Sequence, residues 1–178
     1  MRPNAPLSAP RSRLFVAKWR RDGFADSISG GGVVAALDGN DEVHGDDTHD
    51  LVCGGEGDDR IESEIGITLE YGDDVYLGGA GDDKLRGGSR FGGSDKLVGG
   101  AGRDRISGNG GRDRISGGKG RDRLSGDNAR DRITGGKGND VLKGGKGDDI
   151  LKGGKGRDVC IGGGGHDRAS GCERTRKL

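Results

Sequence analysis

Fourteen aspartates recur along residues 36–170 at one fixed place in a nine-residue pattern that is rich in glycine. A carboxylate oxygen is a hard ligand, which suits calcium better than zinc or copper. Glycine permits positive φ and close backbone approach, so that main-chain carbonyls can also point at a cation. These residue types at this spacing indicate a row of oxygen-donor cation sites. The aspartates, at the sixth position of each cell, are Asp41, Asp50, Asp59, Asp74, Asp83, Asp95, Asp104, Asp113, Asp122, Asp131, Asp140, Asp149, Asp158 and Asp167.

The eighth position of the same cells is predominantly apolar, which predicts a narrow core. Successive strand residues point to opposite faces, so position eight is expected to point inward while positions seven and nine point outward. One core side chain per short strand accounts for a hydrophobic content of only 28% without invoking disorder. The position-eight residues are Val43, Val52, Ile61, Tyr76, Leu85, Leu97, Ile106, Ile115, Leu124, Ile133, Leu142, Leu151, Cys160 and Ala169.

The most regular cells read G-G-x-G-x-D-x-(L/I/V)-x, for example GGEGDDRIE at 54–62 and GGKGDDILK at 144–152. Tandem cells of this kind resemble the RTX (haemolysin-type) calcium-binding nonapeptide repeat family. The resemblance implies an all-β, right-handed parallel β-roll (β-solenoid) that binds several Ca²⁺ ions in its six-residue turns. It implies as calcium-binding residues Asp41, Asp59, Asp83, Asp104, Asp122, Asp140, Asp149 and Asp158, with Gly54, Gly55, Gly57, Gly78, Gly79, Gly81, Gly99, Gly100, Gly102, Gly117, Gly118, Gly120, Gly135, Gly136, Gly138, Gly144, Gly145 and Gly147.

Three segments are expected from this period. Residues 36–170 form the roll of fourteen cells, two cells to a coil, with insertions at 63–68 and within 87–98. Residues 1–35 form a flexible basic segment with a possible first strand at 27–37, and residues 171–178 form a C-terminal cap.

The turns differ between the two edges of such a roll. Alternate cells lie on the same edge, and six of the seven odd cells keep all three turn glycines, whereas most even cells do not. We therefore expect the odd edge to bind calcium best, and the even edge to be weaker between Asp50 and Asp131. The alternative is that Ala or Asn is tolerated where only the carbonyl binds. The odd-edge aspartates of regular turns are Asp59, Asp83, Asp104, Asp122, Asp140 and Asp158.

A formal net charge of zero conceals an uneven distribution. Residues 1–35 sum to +4, residues 36–98 to −12 and residues 99–178 to +8. Arginines at positions five and seven of the last block either point outward or pair with the aspartates. An outward arrangement favours an anionic partner. The alternative function is therefore binding of a polyanion, such as an acidic polysaccharide, anionic lipid or nucleic acid, although 3% aromatic residues do not favour single-stranded nucleic acid.

Three cysteines leave one without an intramolecular partner. Cys160 occupies a core position and Cys172 lies twelve residues later, so a disulfide between them would staple the last coil in an oxidising compartment. Cys53, at position nine, is expected to be unpaired. In a reducing cell all three would remain small fillers.

The functional expectation is calcium binding coupled to folding of an extracellular structural or interaction module. No enzyme signature is recognised, and a roll with one core residue per strand leaves no room for an enclosed pocket. The chain is also open to interpretation as an orphan repeat domain of a secreted enzyme or toxin. Secretion is expected from the calcium supply outside cells, although no signal peptide is visible.

Overall fold

A computed structural model describes residues 27–29, 33–35, 39–45, 49–63, 72–88 and 93–178, which form two parallel β-sheets. The first sheet has the order β1 (Ser27–Ser29), β3 (Glu42–Gly45), β5 (Arg60–Ser63), β7 (Lys84–Arg86), β9 (Arg105–Ser107), β11 (Arg123–Asn128), β13 (Val141–Lys146), β15 (Val159–Gly164) and β17 (Arg174–Arg176). The second sheet has the order β16 (Arg168–Ser170), β14 (Ile150–Lys155), β12 (Arg132–Lys137), β10 (Arg114–Lys119), β8 (Lys96–Ala101), β6 (Val75–Ala80), β4 (Leu51–Glu56) and β2 (Val33–Ala35).

The chain alternates between the sheets, so that each strand pairs with the strand one coil later. Position eight always faces position eight, as in Ile115 opposite Ile133 and Leu124 opposite Leu142. The insertions do not disturb this register, since Tyr76 faces both Val52 and Leu97 across steps longer than eighteen residues. The predicted all-β parallel β-roll is thereby confirmed.

The core is a single layer between the sheets, to which each sheet contributes one row of side chains. Thirteen of the fourteen position-eight residues are buried, from Val43 to Cys160, with relative exposures of 0–4%. The fourteenth, Ala169, is half-buried and packs against the end of the core together with Cys172. The prediction that position eight points inward is thus confirmed by burial.

The ends of the roll are made by short strands outside the fourteen cells. β1 and β2 lie within the segment 27–37, and β1 pairs with β3 while β2 pairs with β4. β17 lies in the segment 171–178 and pairs with β15. The segment 1–26, expected to be flexible, lies outside the described residues. Within the described ranges no helix is long and apolar enough to cross a membrane.

Because the core is thin, truncating one of its side chains should lower the free energy of unfolding markedly. Leu142→Ala removes a fully buried side chain and leaves a cavity, so the free energy of unfolding should fall by about 2–5 kcal/mol. Urea denaturation measures this loss. The matched control is Lys143→Ala, whose side chain is exposed on the same strand and whose effect should stay within about 0.5 kcal/mol. Equal effects would contradict a core built on position eight.

Candidate metal centres

The position-six aspartates form two hydrogen-bonded ladders, one along each edge of the roll. On the odd edge the backbone N–H of each aspartate donates to Oδ1 of the aspartate one coil later, over 2.8–2.9 Å from Asp41 to Asp158. On the even edge the same bonds run over 2.8–3.0 Å from Asp50 to Asp167. One carboxylate oxygen of each rung is therefore committed to the backbone, and the other remains for a different partner.

That other oxygen, Oδ2, is buried and without a hydrogen-bond partner in most rungs. A buried carboxylate oxygen that lacks a donor or a cation carries a large desolvation cost. The pattern therefore fits a bound cation better than a purely structural role. The rungs with an unpartnered buried Oδ2 are Asp59, Asp83, Asp104, Asp113, Asp122, Asp131, Asp140, Asp149, Asp158 and Asp167.

The glycine at position one makes room for this oxygen. A Cβ on Gly117 would collide with Oδ2 of Asp122, and a Cβ on Gly54 would collide with Oδ2 of Asp59. These glycines do not have positive φ. The positive φ expected of the turn glycines is therefore absent at position one. Position one is glycine because the carboxylate occupies the space of a side chain.

Positions two and four do need positive φ. Gly118 has φ of 118° and Gly120 has φ of 131°, values that favour glycine. A Cβ on either would also strike a carbonyl oxygen of the preceding coil, that of Gly100 or Gly102. The turns of successive coils thus stack with their carbonyl groups close together.

The donor set of these turns is main-chain oxygen plus carboxylate. Within the described residues there is no group of three or more His, Cys, Asp or Glu side chains able to hold a metal ion. A cation held here would take carbonyl oxygens of the turns and the Oδ2 of the ladder. All-oxygen donors of this kind suit Ca²⁺.

Burial shifts the ladder carboxyls toward their protonated form. Desolvation raises the pKa of Asp104 and Asp122 to about 6. Desolvation, together with the charges of neighbouring aspartates, raises the pKa of Asp83 to about 7. Desolvation raises the pKa of Asp113 to about 9. Backbone hydrogen bonds oppose these shifts without cancelling them. Without a cation, the ladders are thus poorly suited to carry full charge at neutral pH.

The even edge differs from the odd edge in its first half. The Oδ2 of Asp74 accepts a hydrogen bond from the Tyr76 hydroxyl at 3.2 Å, and that of Asp95 accepts one from the backbone N–H of Gly88 at 3.0 Å. These two oxygens already have protein partners. In the stretch between Asp50 and Asp131, where weaker binding is expected, Asp113 and Asp131 keep an unpartnered Oδ2.

Irregular even turns retain the glycine-like backbone. Asn109, Asp127 and Ala129 adopt positive φ of 66°, 75° and 76°, a conformation that costs non-glycine residues roughly 1–2 kcal/mol each. Their carbonyls therefore keep the orientation of the regular turns. This supports the alternative that Ala and Asn are tolerated in the turn.

A second, outer ladder at position five was not predicted from the sequence. The Oδ1 of Asp58 accepts from the Asp82 backbone N–H at 2.7 Å, and that of Asp82 accepts from the Arg103 N–H at 2.6 Å. Arg103 provides no acceptor in turn, so the outer ladder is interrupted there, and the same contact recurs where Asn139 Oδ1 accepts from the Arg157 backbone N–H at 2.8 Å. The signal in the sequence is Asp or Asn at position five, as in Asp58, Asp82 and Asn139.

The last coil is closed by two adjacent residues. A disulfide joins Cys160 to Cys172, with Cα atoms 6.0 Å apart, while Cys53 is free. The next residue, Glu173, accepts the Asp158 backbone N–H at 2.5 Å through Oε2. It takes the place of the missing next aspartate of the odd ladder. Sequence reasoning missed Glu173 because it lies outside the nonapeptide period.

Comparison with known proteins adds one finding. A family model described as RTX calcium-binding nonapeptide repeat (4 copies) matches residues 26–61, 70–89, 91–124, 108–142, 125–160 and 134–169. These segments cover more than half of the chain and contain all fourteen ladder aspartates. A comparison with curated proteins gives no significant match.

The stacked turns predict a strong penalty for one added methyl group. Gly118→Ala combines a positive φ with a collision against the Gly100 carbonyl oxygen, so the roll should lose about 2–3 kcal/mol of stability. Gly164→Ala is the matched control, since a Cβ there meets nothing within 4 Å. Chemical denaturation of both variants tests this. A tolerated Gly118→Ala would show that the turn relaxes freely.

The raised pKa values predict an unusual pH dependence in metal-free buffer. Unfolded aspartates ionise near pH 4, whereas buried ladder carboxyls such as Asp59 and Asp131 ionise near 6 and 7. Between these values the folded chain binds more protons than the unfolded chain, so stability falls as pH rises from about 4 to 7. Thermal unfolding at several pH values measures it. A stability that rises over this range would contradict the assignment.

Proposed function

Since the chain belongs to the RTX calcium-binding nonapeptide repeat family, we propose that Ca²⁺ is the partner of the unpaired ladder oxygens and that its binding drives folding of the roll. The chain is a calcium-binding repeat domain. The proposal concerns which residues bind the ions and what binding does. The observation that carries it is the set of ten buried Oδ2 atoms without a hydrogen-bond partner.

The residues that would hold the ions come from two successive coils on one edge. In each, the proposed ligands are the carbonyls of positions two and four, which lie against the same positions of the next coil, and the position-six carboxylate, which lies against position one. Calcium supplies positive charge where the fold concentrates buried carboxylates. The chain's own contribution is to orient these oxygens and to exclude water from them.

Coupling to folding follows from the weakness of the rest of the structure. The core is one thin layer with one side chain from each strand, and only 28% of the residues are hydrophobic. Ions that bind the folded roll and not the unfolded chain add their binding free energy to its stability. The roll would therefore be a calcium-dependent folding unit.

The odd edge is proposed as the stronger edge. All six regular odd-edge aspartates from Asp59 to Asp158 have an unpartnered Oδ2, whereas Asp74 and Asp95 on the even edge do not. We further propose a non-catalytic role and an extracellular site of action. The former is supported by the structural character of the repeat, and the latter by the need for abundant calcium.

Calcium titration of the metal-free chain at neutral pH tests the coupling. Far-UV circular dichroism should show a cooperative change to β-structure with Ca²⁺ and no such change with Mg²⁺, which prefers a smaller octahedral site. A full β spectrum in chelator, unchanged by calcium, would contradict calcium-driven folding.

A pair of variants tests the ligand assignment. Asp104→Asn removes an unpartnered carboxylate oxygen, whereas Asp95→Asn alters one already bonded to Gly88. Both side chains are equally buried. Calorimetry should show fewer calcium ions bound by Asp104→Asn, and a stoichiometry unchanged in Asp95→Asn. Equal loss in both would overturn the difference between the edges.

A further inference from the structure

The odd edge carries exposed cations over four consecutive coils. Lys119, Lys137 and Lys155, at position three, face one another in register on neighbouring strands. Arginines occupy position five in three of the same four turns. We define the odd-edge cationic strip as Arg103, Lys119, Arg121, Lys137, Lys155 and Arg157, all of which are exposed.

The surface around this strip is more positive than the formal net charge of residues 99–178 suggests. Residues 99–178 contain nineteen Lys and Arg and eleven acids, but seven of those acids are buried ladder aspartates, from Asp104 to Asp158. All nineteen cations are exposed. Most of the acids are thus on the inside and all of the bases on the outside, so this half of the roll presents a cationic surface.

The cations of the strip have no acidic partners of their own. Among the described residues, none of the six lies within 4.0 Å of a carboxylate. In earlier coils, exposed cations have acidic partners: Glu62 forms ion pairs with Arg60 at 3.0 Å and with Lys84 at 3.2 Å. Like charges opposite one another on neighbouring strands are destabilising. An external anion would offset that repulsion.

One arginine-lined groove lies on the even edge, against Arg112, Asp113, Arg114, Arg130 and Arg132, and two shallow grooves lie on the odd edge beside the strip. One is lined by Asp82, Arg103, Arg105, Arg121 and Arg123. The other is lined by Arg121, Asn139, Arg157, Asp158, Val159, Glu173 and Arg174. They meet at Arg121 and run in line along the edge, with Asp82 and Glu173 near the outer ends. An elongated ligand parallel to the roll axis fits this arrangement better than a small one.

Spacing and composition decide among the polyanions. Neighbouring coils lie about 4.8 Å apart, so the cations recur about once per sugar ring of an extended polysaccharide. The phosphates of one DNA strand recur every ~3.4 Å along the helix axis. Residues 99–178 contain no aromatic side chain for base stacking. The exposed large apolar residues in the described part of the chain are Leu51 and Leu178, neither on the strip. A lipid surface would find little to bind there.

We propose that the odd-edge cationic strip binds a linear acidic polysaccharide, laid along the roll axis with its carboxylate or sulfate groups on successive coils. Guanidinium groups pair with such anions through two parallel hydrogen bonds. The strip occupies the exposed positions three and five of these turns, whereas the carboxylate oxygens proposed to bind calcium are buried. It requires a folded roll and is unaffected by which ion the ladders hold.

The experiment measures binding of hexagalacturonate, a short uronate chain, by calorimetry at low salt with the roll shown by circular dichroism to be folded. Arg103→Gln combined with Arg121→Gln should weaken binding about tenfold or more, the value of one or two lost charge-assisted contacts. The matched control is Arg112→Gln combined with Arg130→Gln. These residues occupy the same repeat position of adjacent cells, on the even edge.

Each outcome of this experiment either supports or overturns the proposed strip. Binding that weakens with added salt and is lost only in the odd-edge variant supports the strip. Equal loss in both double variants would show a diffuse charge effect and overturn it, as would no binding by the folded wild-type chain. Tighter binding of a DNA duplex with the same total charge would replace the polysaccharide with nucleic acid. Because folding is monitored separately, a failure of calcium-driven folding is distinguishable from a failure of the strip.

Discussion

A buried carboxylate in every half-coil is the constraint on which the rest of this structure depends. Its Oδ1 accepts a backbone N–H from the previous coil, for example Asp104 to Oδ1 of Asp122 at 2.9 Å, and so connects coil to coil. In ten of these aspartates Oδ2 is buried and has no hydrogen-bond partner. The same side chain that holds the coils together therefore creates the need for positive charge between them. Turn geometry, glycine positions and metal preference all follow from that requirement.

Different positions of the nonapeptide provide the core, the interior charge and the surface. Position eight provides the core, position six the interior charge and the odd-numbered outer positions the surface. Because the separation is strict, acids and bases can be numerous without meeting: Asp122 is buried while Arg121 and Arg123 on either side are exposed. A formal net charge of zero thus describes neither the interior, which is anionic, nor the surface of the C-terminal half, which is cationic.

Part of this was predictable from the sequence. The period of nine predicts the acidic row and the inward position eight, and the burial of Leu142 and Asp140 agrees. The parallel roll was implied by the resemblance to the repeat family. What the period could not predict depends on contacts between coils. Gly117 is fixed by the carboxylate of Asp122, which only the folded turn brings against it. The Tyr76 hydroxyl, from the core, and the Gly88 backbone N–H, from the loop after β7, donate to Oδ2 of Asp74 and Asp95, and only the folded roll makes these contacts.

The constancy of register across unequal coils has a consequence for how such a chain changes over time. Ladder bonds span eighteen residues in most coils, but 24 between Asp59 and Asp83 and 21 between Asp83 and Asp104. The extra residues lie between strands along the sequence, and strand pairing stays in phase. Each coil interacts mainly with its two neighbours. Whole coils are therefore interchangeable modules, and unequal crossing-over within the gene could lengthen or shorten the rod by one step without redesigning any contact.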